Sequence, residues 1–354
     1  MAITLLPTGL RRGPGVPGVG SRGGAGFVIP LLLWTGACAE GWEGPRGPTG
    51  WVLDSAAFVV TGYVDGDPEI FLVRNRFDTL WTRVTDRPGL DNSATWSADG
   101  EWIVFHSDRT STAAPDLDLF LVNPEGRVPP VPLTFDPGLD YLPHYSPDGQ
   151  YISFLSRRDS AEASSASADE EEPLAHIYLL EVVGRTARRV TRYPVNASLG
   201  ATWMPDGESL LGARRLEPDG PTHLVRIWLD LDRSASLPLG VREQVLVADA
   251  AFNYTPVPSP DGSRIAYTAE SGGAARVVVM DLASGERRTL TESGHAYVDT
   301  WTPDGNWIAV TRWDPKDDRR EVWLVDPDGE EPDEPLLRGS NRPASDVAFR
   351  PVRR

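Results

Sequence analysis

At 354 residues, with 40% hydrophobic content, 12 Trp, 34 Gly and 32 Pro, the chain is long and apolar enough to bury a large core in one all-β domain. Its net charge of −17 repels phosphate backbones and excludes a nucleic-acid binder. A single cysteine, Cys38, excludes an internal disulfide.

Residues 1–39 read as a targeting leader. Arg11, Arg12 and Arg22 precede an apolar run from Phe27 to Trp34, which ends in the small residues Gly36 and Ala37 before Cys38 and Ala39. The run is too short for a stable membrane span. Thr35-Gly-Ala-Cys38 resembles a bacterial lipobox without its usual Leu, which makes Cys38 a candidate lipidation site. Ordinary cleavage after Ala39 is the alternative. Residues 40–50, rich in Gly and Pro, follow as a linker.

From residue 51 onward one unit repeats. Its clearest copy is the stretch Tyr145-Ser-Pro-Asp-Gly149, followed by a strand at Tyr151 to Leu155. Pro147 pre-sets φ, Asp148 can accept from backbone N–H groups and Gly149 can take positive φ, so the stretch predicts a hairpin turn. Further copies begin at Trp96, Trp203, Pro258 and Trp301. Each is followed by three strand-like segments, and spacings of about 43 to 58 residues suit four-stranded propeller blades. Phe58 to Val60, Ile70 to Val73 and Arg83 to Thr85 match the last three strands of a blade with no first strand ahead of them. Asp346 to Pro351 matches a first strand with nothing after it. The C-terminal strand is therefore expected to complete the first blade and close a ring of six.

The Trp/Tyr-Ser-Pro-Asp-Gly-x-x-Ile-x-Phe-x-Ser-x-Arg pattern, clearest at Tyr145 to Arg158, resembles the propeller repeats of the TolB-like family. The resemblance covers roughly residues 51 to 351 and implies a six-bladed β-propeller, WD-repeat-like in its blades. A propeller scaffold carries many unrelated roles, so function has to be argued from sites.

Catalytic signals are sparse. There is no Gly-x-Ser-x-Gly elbow, and His106, His144, His176, His223 and His295 show no metal-ligand spacing. No metal or cofactor is expected. Asp159 to Pro173, with its acidic run Asp169 to Glu172, reads as a solvated loop inside blade three.

The loops joining one blade to the next should crowd one mouth of the central channel, and there Asp140, Tyr141, Asn253, Tyr254, His295 and Tyr297 are the candidate binding residues. Arg109, Arg158, Arg214 and Arg312 reach the same face. They are expected to form blade-to-blade ion pairs with Asp108, Asp159 or Asp314. Trp96, Trp203 and Trp301 are expected between blades.

Two functions follow. The first is a non-enzymatic protein-binding or scaffolding module of the bacterial envelope, periplasmic and monomeric, which takes an envelope protein or peptide on the channel face. The second is a propeller enzyme resembling oligogalacturonide lyases, metal-assisted and acting on acidic oligosaccharides, with His144, His295 and Tyr141 as candidates.

Overall fold

The computed structural model describes residues 54–351, apart from 111–115, 126–127, 137, 160–173, 194, 197–199, 216–219, 235, 237, 293 and 339–341. The leader with Cys38, the linker and the acidic run 169–172 lie outside the described residues.

The described residues build twenty-five strands in six sheets. Blade 1 takes β1 (Phe58–Val64), β2 (Asp67–Val73) and β3 (Thr82–Arg83); blade 2 takes β4 (Asp91–Trp96), β5 (Ile103–Ser107), β6 (Asp118–Val122) and β7 (Val131–Pro132). Blade 3 contains β8 (Asp140–Tyr145), β9 (Tyr151–Ser156), β10 (Leu174–Glu181) and β11 (Ala187–Arg189), with the short β12 (Val195–Asn196) also paired to β10. Blade 4 is β13 (Ala201–Trp203), β14 (Ser209–Arg215), β15 (Thr222–Leu229) and β16 (Gly240–Val247). Blade 5 is β17 (Phe252–Pro258), β18 (Arg264–Ser271), β19 (Ala274–Asp281) and β20 (Arg287–Thr289). Blade 6 is β21 (His295–Trp301), β22 (Ile308–Asp314), β23 (Arg319–Val325) and β24 (Glu334–Pro335). The last strand, β25 (Ala344–Phe349), returns to blade 1 and pairs antiparallel with β1, Phe58 opposite Phe349.

The expected closure is therefore present. Around the centre β4 touches β8, β8 touches β13, β13 touches β17, β17 touches β21, β21 touches β25, and β25 touches β4 again. The result is a six-bladed β-propeller.

Local chemistry makes each hairpin. Ser146 Oγ donates to Asp148 Oδ1 (2.6 Å), Asp148 Oδ1 accepts from Gln150 N–H (2.9 Å), and Tyr151 N–H donates back to Ser146 Oγ (2.9 Å). Gly149 takes φ 71° to reverse the chain. The same bonds recur around Asp99, Asp261 and Asp304. In blade 4, Met204 stands where the hydroxyl would be, yet Asp206 still accepts from Glu208 N–H (2.9 Å). The turn is set by the Asp and Gly.

Outside blade 4, the outer strands end earlier than the sequence suggests. Thr85, Thr134, Thr191 and Thr291 lie beyond the paired residues, and their Oγ1 atoms accept the N–H of Ile70, Leu119, Ile177 and Val277 at 2.9 to 3.2 Å. A side-chain oxygen has replaced the last rung of the ladder.

The blades lock together through apolar clusters and three indoles. Trp96, Trp203 and Trp301 are buried, as expected. Each also donates Nε1–H to the inner strand of the preceding blade, onto Ala348 O (3.0 Å), His144 O (3.2 Å) and Val257 O (3.0 Å). These carbonyls all sit one residue before the turn end of their strand, so the contact is a repeat-level device.

Candidate functional site at the channel mouth

Each inner strand starts at the mouth, and in blades 1, 2, 3, 5 and 6 its described backbone there is irregular. Register shifts fall between Asn92 and Thr95, Tyr141 and His144, Tyr254 and Val257, and Val298 and Thr300, with a matching shift where β25 meets β1. Ser93, Leu142, Thr255 and Asp346, three residues before the strand's turn end, have φ between 47° and 53°. These bulges re-aim the flanking side chains, which places Tyr141, Tyr254 and Tyr297 at one equivalent position on blades 3, 5 and 6.

The six sequence-predicted residues divide by environment. Asp140 is fully buried, and its Oδ2 accepts from Arg158 (2.7 Å) while Oδ1 has no partner. Burial pushes its carboxyl up to about 6, against the pull of Arg158. Asn253 is also fully buried, and its Nδ2 donates to Asp249 Oδ1 (2.8 Å), Ala251 O (3.2 Å) and Thr222 O (3.3 Å). Both side chains brace loops from within.

Tyr141 packs edge-on against His106, with ring centroids 6.4 Å apart and its hydroxyl enclosed without a hydrogen bond. Beside it, Leu142 N–H donates to His106 Nδ1 (3.4 Å), and His144 Nδ1 lies 3.3 Å from Leu142 O, to which it must donate. His106 is thus neutral with its proton on Nε2. Burial lowers both imidazoles from 6.5 to about 4.

Tyr254 and Tyr297 form the open part of the mouth. Their rings are 6.5 Å apart, both are half-buried, and Tyr254 OH donates to Glu270 Oε2 (2.9 Å). Burial, then the Glu270 carboxylate, raises the Tyr254 hydroxyl; the same two causes raise Tyr297, opposed by Arg320. Arg320 donates to Tyr63 OH, with its guanidinium 5.3 Å from the Tyr63 ring. His295 lies on the same blade against Trp313, centroids 5.2 Å apart.

The sequence did not single out two carboxylates of this region. Asp299 accepts from Thr311 Oγ1 (2.8 Å to Oδ2), and Asp346 Oδ2 accepts from Ser345 Oγ (2.7 Å). Burial holds the Asp299 carboxyl well above its ordinary range, and the charge of Asp346 adds to that rise. Asp346 is raised by burial too, while Ser345, Arg320 and Thr61 pull it back. An Asp in the middle of a half-buried strand was the available signal. A groove of about 290 Å³ adjoins, lined by Asp318, Arg320, Val322, Leu337 and Arg342.

The arginines behave differently from expectation. Arg109 crosses Phe105 and Phe120, its guanidinium 5.0 Å from each ring, to reach Asp91 of its own blade (2.8 Å). Arg158 repeats the arrangement over Phe154 and Tyr178 to reach Asp140 and Asp136, both at 2.7 Å. Asp108 instead accepts Leu90 N–H (2.9 Å). Stacking on rings of the same sheet directs each guanidinium inward, so Arg109–Asp91 and Arg158–Asp140 tie strands within one blade, and Arg158 also holds Asp136 in the loop that joins blades 2 and 3.

Similarity in three dimensions agrees with this architecture. The structure of TolB from Acinetobacter baumannii superposes with a TM-score of 0.65 at 18% identity, over 85% of this chain and 68% of that one. A protein assigned as TolB from Agrobacterium tumefaciens gives 0.56 at 20% identity, over 84% and 99%. The fold is that of the TolB-like propellers. An oligogalacturonate lyase in complex with manganese also matches, with a TM-score of 0.53 at 15% identity, over 80% and 74%. No family model and no curated protein matches the chain.

The described residues do not fit a metal of that kind. Among the described residues no three His, Cys, Asp or Glu side chains converge on one point. His144 and His295, the candidates for metal-assisted chemistry, sit on blades 3 and 6, half a ring apart. Tyr141 is packed beside His106 with its hydroxyl enclosed.

Proposed function

We propose that this propeller is a non-enzymatic binding module of the bacterial envelope, which takes a protein or peptide partner at the channel mouth of blades 5, 6 and 1. The observation that carries the reading is the half-buried Tyr254–Tyr297 pair, set between Glu270 and Arg320. Tyrosines held by polar neighbours offer rigid contact area at low entropic cost, beside charges of both signs that select a partner. The apolar leader and the TolB-like fold support export to the periplasm. Cys38 is the proposed lipid-bearing residue, with residues 40–50 as a tether.

Two experiments test the reading. Crosslinked affinity capture from envelopes should lose its partner with the pair Tyr254→Ala and Tyr297→Ala, with recovery falling more than about tenfold, as expected for a two-residue hot spot. Far-UV dichroism and melting should stay near wild type. Undiminished capture by the double variant would remove the mouth from consideration. Separately, Cys38→Ser should move the protein from the membrane to the soluble fraction. A wild-type protein that is already soluble, with Glu40 at its mature N-terminus, would replace anchoring with simple secretion.

A further inference from the structure

The mouth carboxylates of blades 2 and 3 each have an arginine of their own blade, Asp91 with Arg109 (2.8 Å) and Asp140 with Arg158 (2.7 Å). The mouth of blades 5, 6 and 1 is built differently. It carries Glu270 on β18, Asp299 on β21 and Asp346 on β25, and among the described residues no Arg or Lys makes an ion pair with any of the three. Arg320 on β23, whose charge reaches Asp346, is itself turned to Tyr63 OH and to Asp318 (3.4 Å).

Asp299 and Asp346 stand on touching inner strands, and the Asp346 backbone N–H donates to the Asp299 carboxyl. Their side-chain partners are neutral hydroxyls: Thr311 Oγ1 lies 2.8 Å from Asp299 Oδ2, and Ser345 Oγ lies 2.7 Å from Asp346 Oδ2. Hydroxyls ease the desolvation of a carboxylate but supply no opposite charge. Neither Asp is fully buried, so solvent still reaches both. Asp299 follows Tyr297 by two residues on β21, and the Tyr254 ring of the neighbouring blade lies 6.5 Å from that of Tyr297, its hydroxyl on Glu270 (2.9 Å).

We propose, on the footing of the peptide-binding mouth above, that the partner inserts a cationic side chain, Lys or Arg, against the Tyr254 and Tyr297 rings, with its charge among Glu270, Asp299 and Asp346. Three carboxylates beside one engaged guanidinium set the sign of the partner's charge, and the aromatic rings favour a cation over a neutral donor. An anionic or purely apolar segment would desolvate the acids without compensation. The arrangement also costs the free protein stability, because two neighbouring carboxyls without a cation either repel or must hold a proton. Binding and stability therefore oppose each other at Asp299.

A random peptide display library, selected on the full chain and depleted on the variant Tyr254→Ala with Tyr297→Ala, tests the proposal. The retained peptides should share a Lys or Arg at one position. In calorimetric titration, changing that residue to Gln should weaken binding more than about tenfold, and so should Asp299→Asn in the protein. Both changes together should weaken it little further than either alone, since they remove one and the same contact. Asp299→Asn keeps the acceptor for Thr311 and sheds the charge, so it should melt at or above wild type. Asp346→Asn, whose amide suits the left-handed backbone there (φ 53°), should repeat both effects. Retained peptides without a shared cation overturn the proposal, as do losses that simply add, a selection that retains nothing, or Asn variants that melt well below wild type. Any of these leaves the binding mouth standing while envelope capture still depends on the two tyrosines. Capture that ignores the tyrosines removes the mouth itself and the cation with it.

Discussion

A chain that ends at Pro343 should fail to form a stable ring. The lost segment, β25, supplies the inner strand of blade 1 and places Ala344, Val347 and Phe349 in one cluster with Phe58, Val60, Trp307, Val322 and Leu324. That cluster takes side chains from blades 1 and 6, so β25 is the joint between the two ends of the repeat array. Phe349 meets Phe58 edge-on, centroids 5.5 Å apart, and Ala348 O holds the Trp96 indole of blade 2. Phe349→Ala alone should cost about 3 kcal/mol or more through the cavity it leaves. Deletion of the whole strand also exposes the unpaired edge of β1 and should lower the melting temperature by more than about 10 °C. Calorimetry and solubility check both changes. A truncated protein that melts with the wild type would show that blade 1 closes without its terminal strand.

The second large effect is a loss of stability in acid that traces to His106. This imidazole is 6% exposed, its Nδ1 must stay unprotonated to accept Leu142 N–H, and burial lowers it from 6.5 to about 4. A group with a depressed folded pKa takes up its proton on unfolding, so the unfolded chain gains protons first as pH falls. The contribution is whole above about pH 6.5 and fades toward pH 4, a swing of about 3 kcal/mol for a shift of this size. His144 on the other side of Leu142 shifts in the same direction. Asp140, raised to about 6, has the opposite sign: its contribution is whole in acid and is lost as pH rises through 6.

A comparison of variants separates these contributions. In His106→Asn the amide oxygen can still accept Leu142 N–H but does not titrate. Urea unfolding at about pH 7.5 and about pH 4.5 should find the variant less stable than wild type at the higher pH and closer to it, or above it, at the lower. The gap should change by about 2 to 3 kcal/mol between the two. An identical gap at both values would mean that His106 titrates normally in the folded state.

By itself the sequence determined the repeat, because each hairpin is local chemistry. An Asp and a Gly at fixed spacing form the turn, and the apolar segment after them can become only a buried strand. The blade count and the closing strand were equally legible. They follow from one missing first strand at one end of the array and one surplus strand at the other.

What only the tertiary structure decided was which polar residues of the mouth face outward. Asp140, Tyr141, Asn253 and Tyr254 sit in similar Tyr/Asn/Asp loops, yet two are wholly buried, one is packed on His106 and one remains half-open beside Tyr297. The difference comes from the neighbouring blade, roughly fifty residues away in sequence, and from bulges whose positive φ no side chain announces. Glu270, Asp299, Arg320 and Asp346 lay within ordinary strand segments. Their significance arises where blades 5, 6 and 1 meet, because burial and charge act through space and not along the chain.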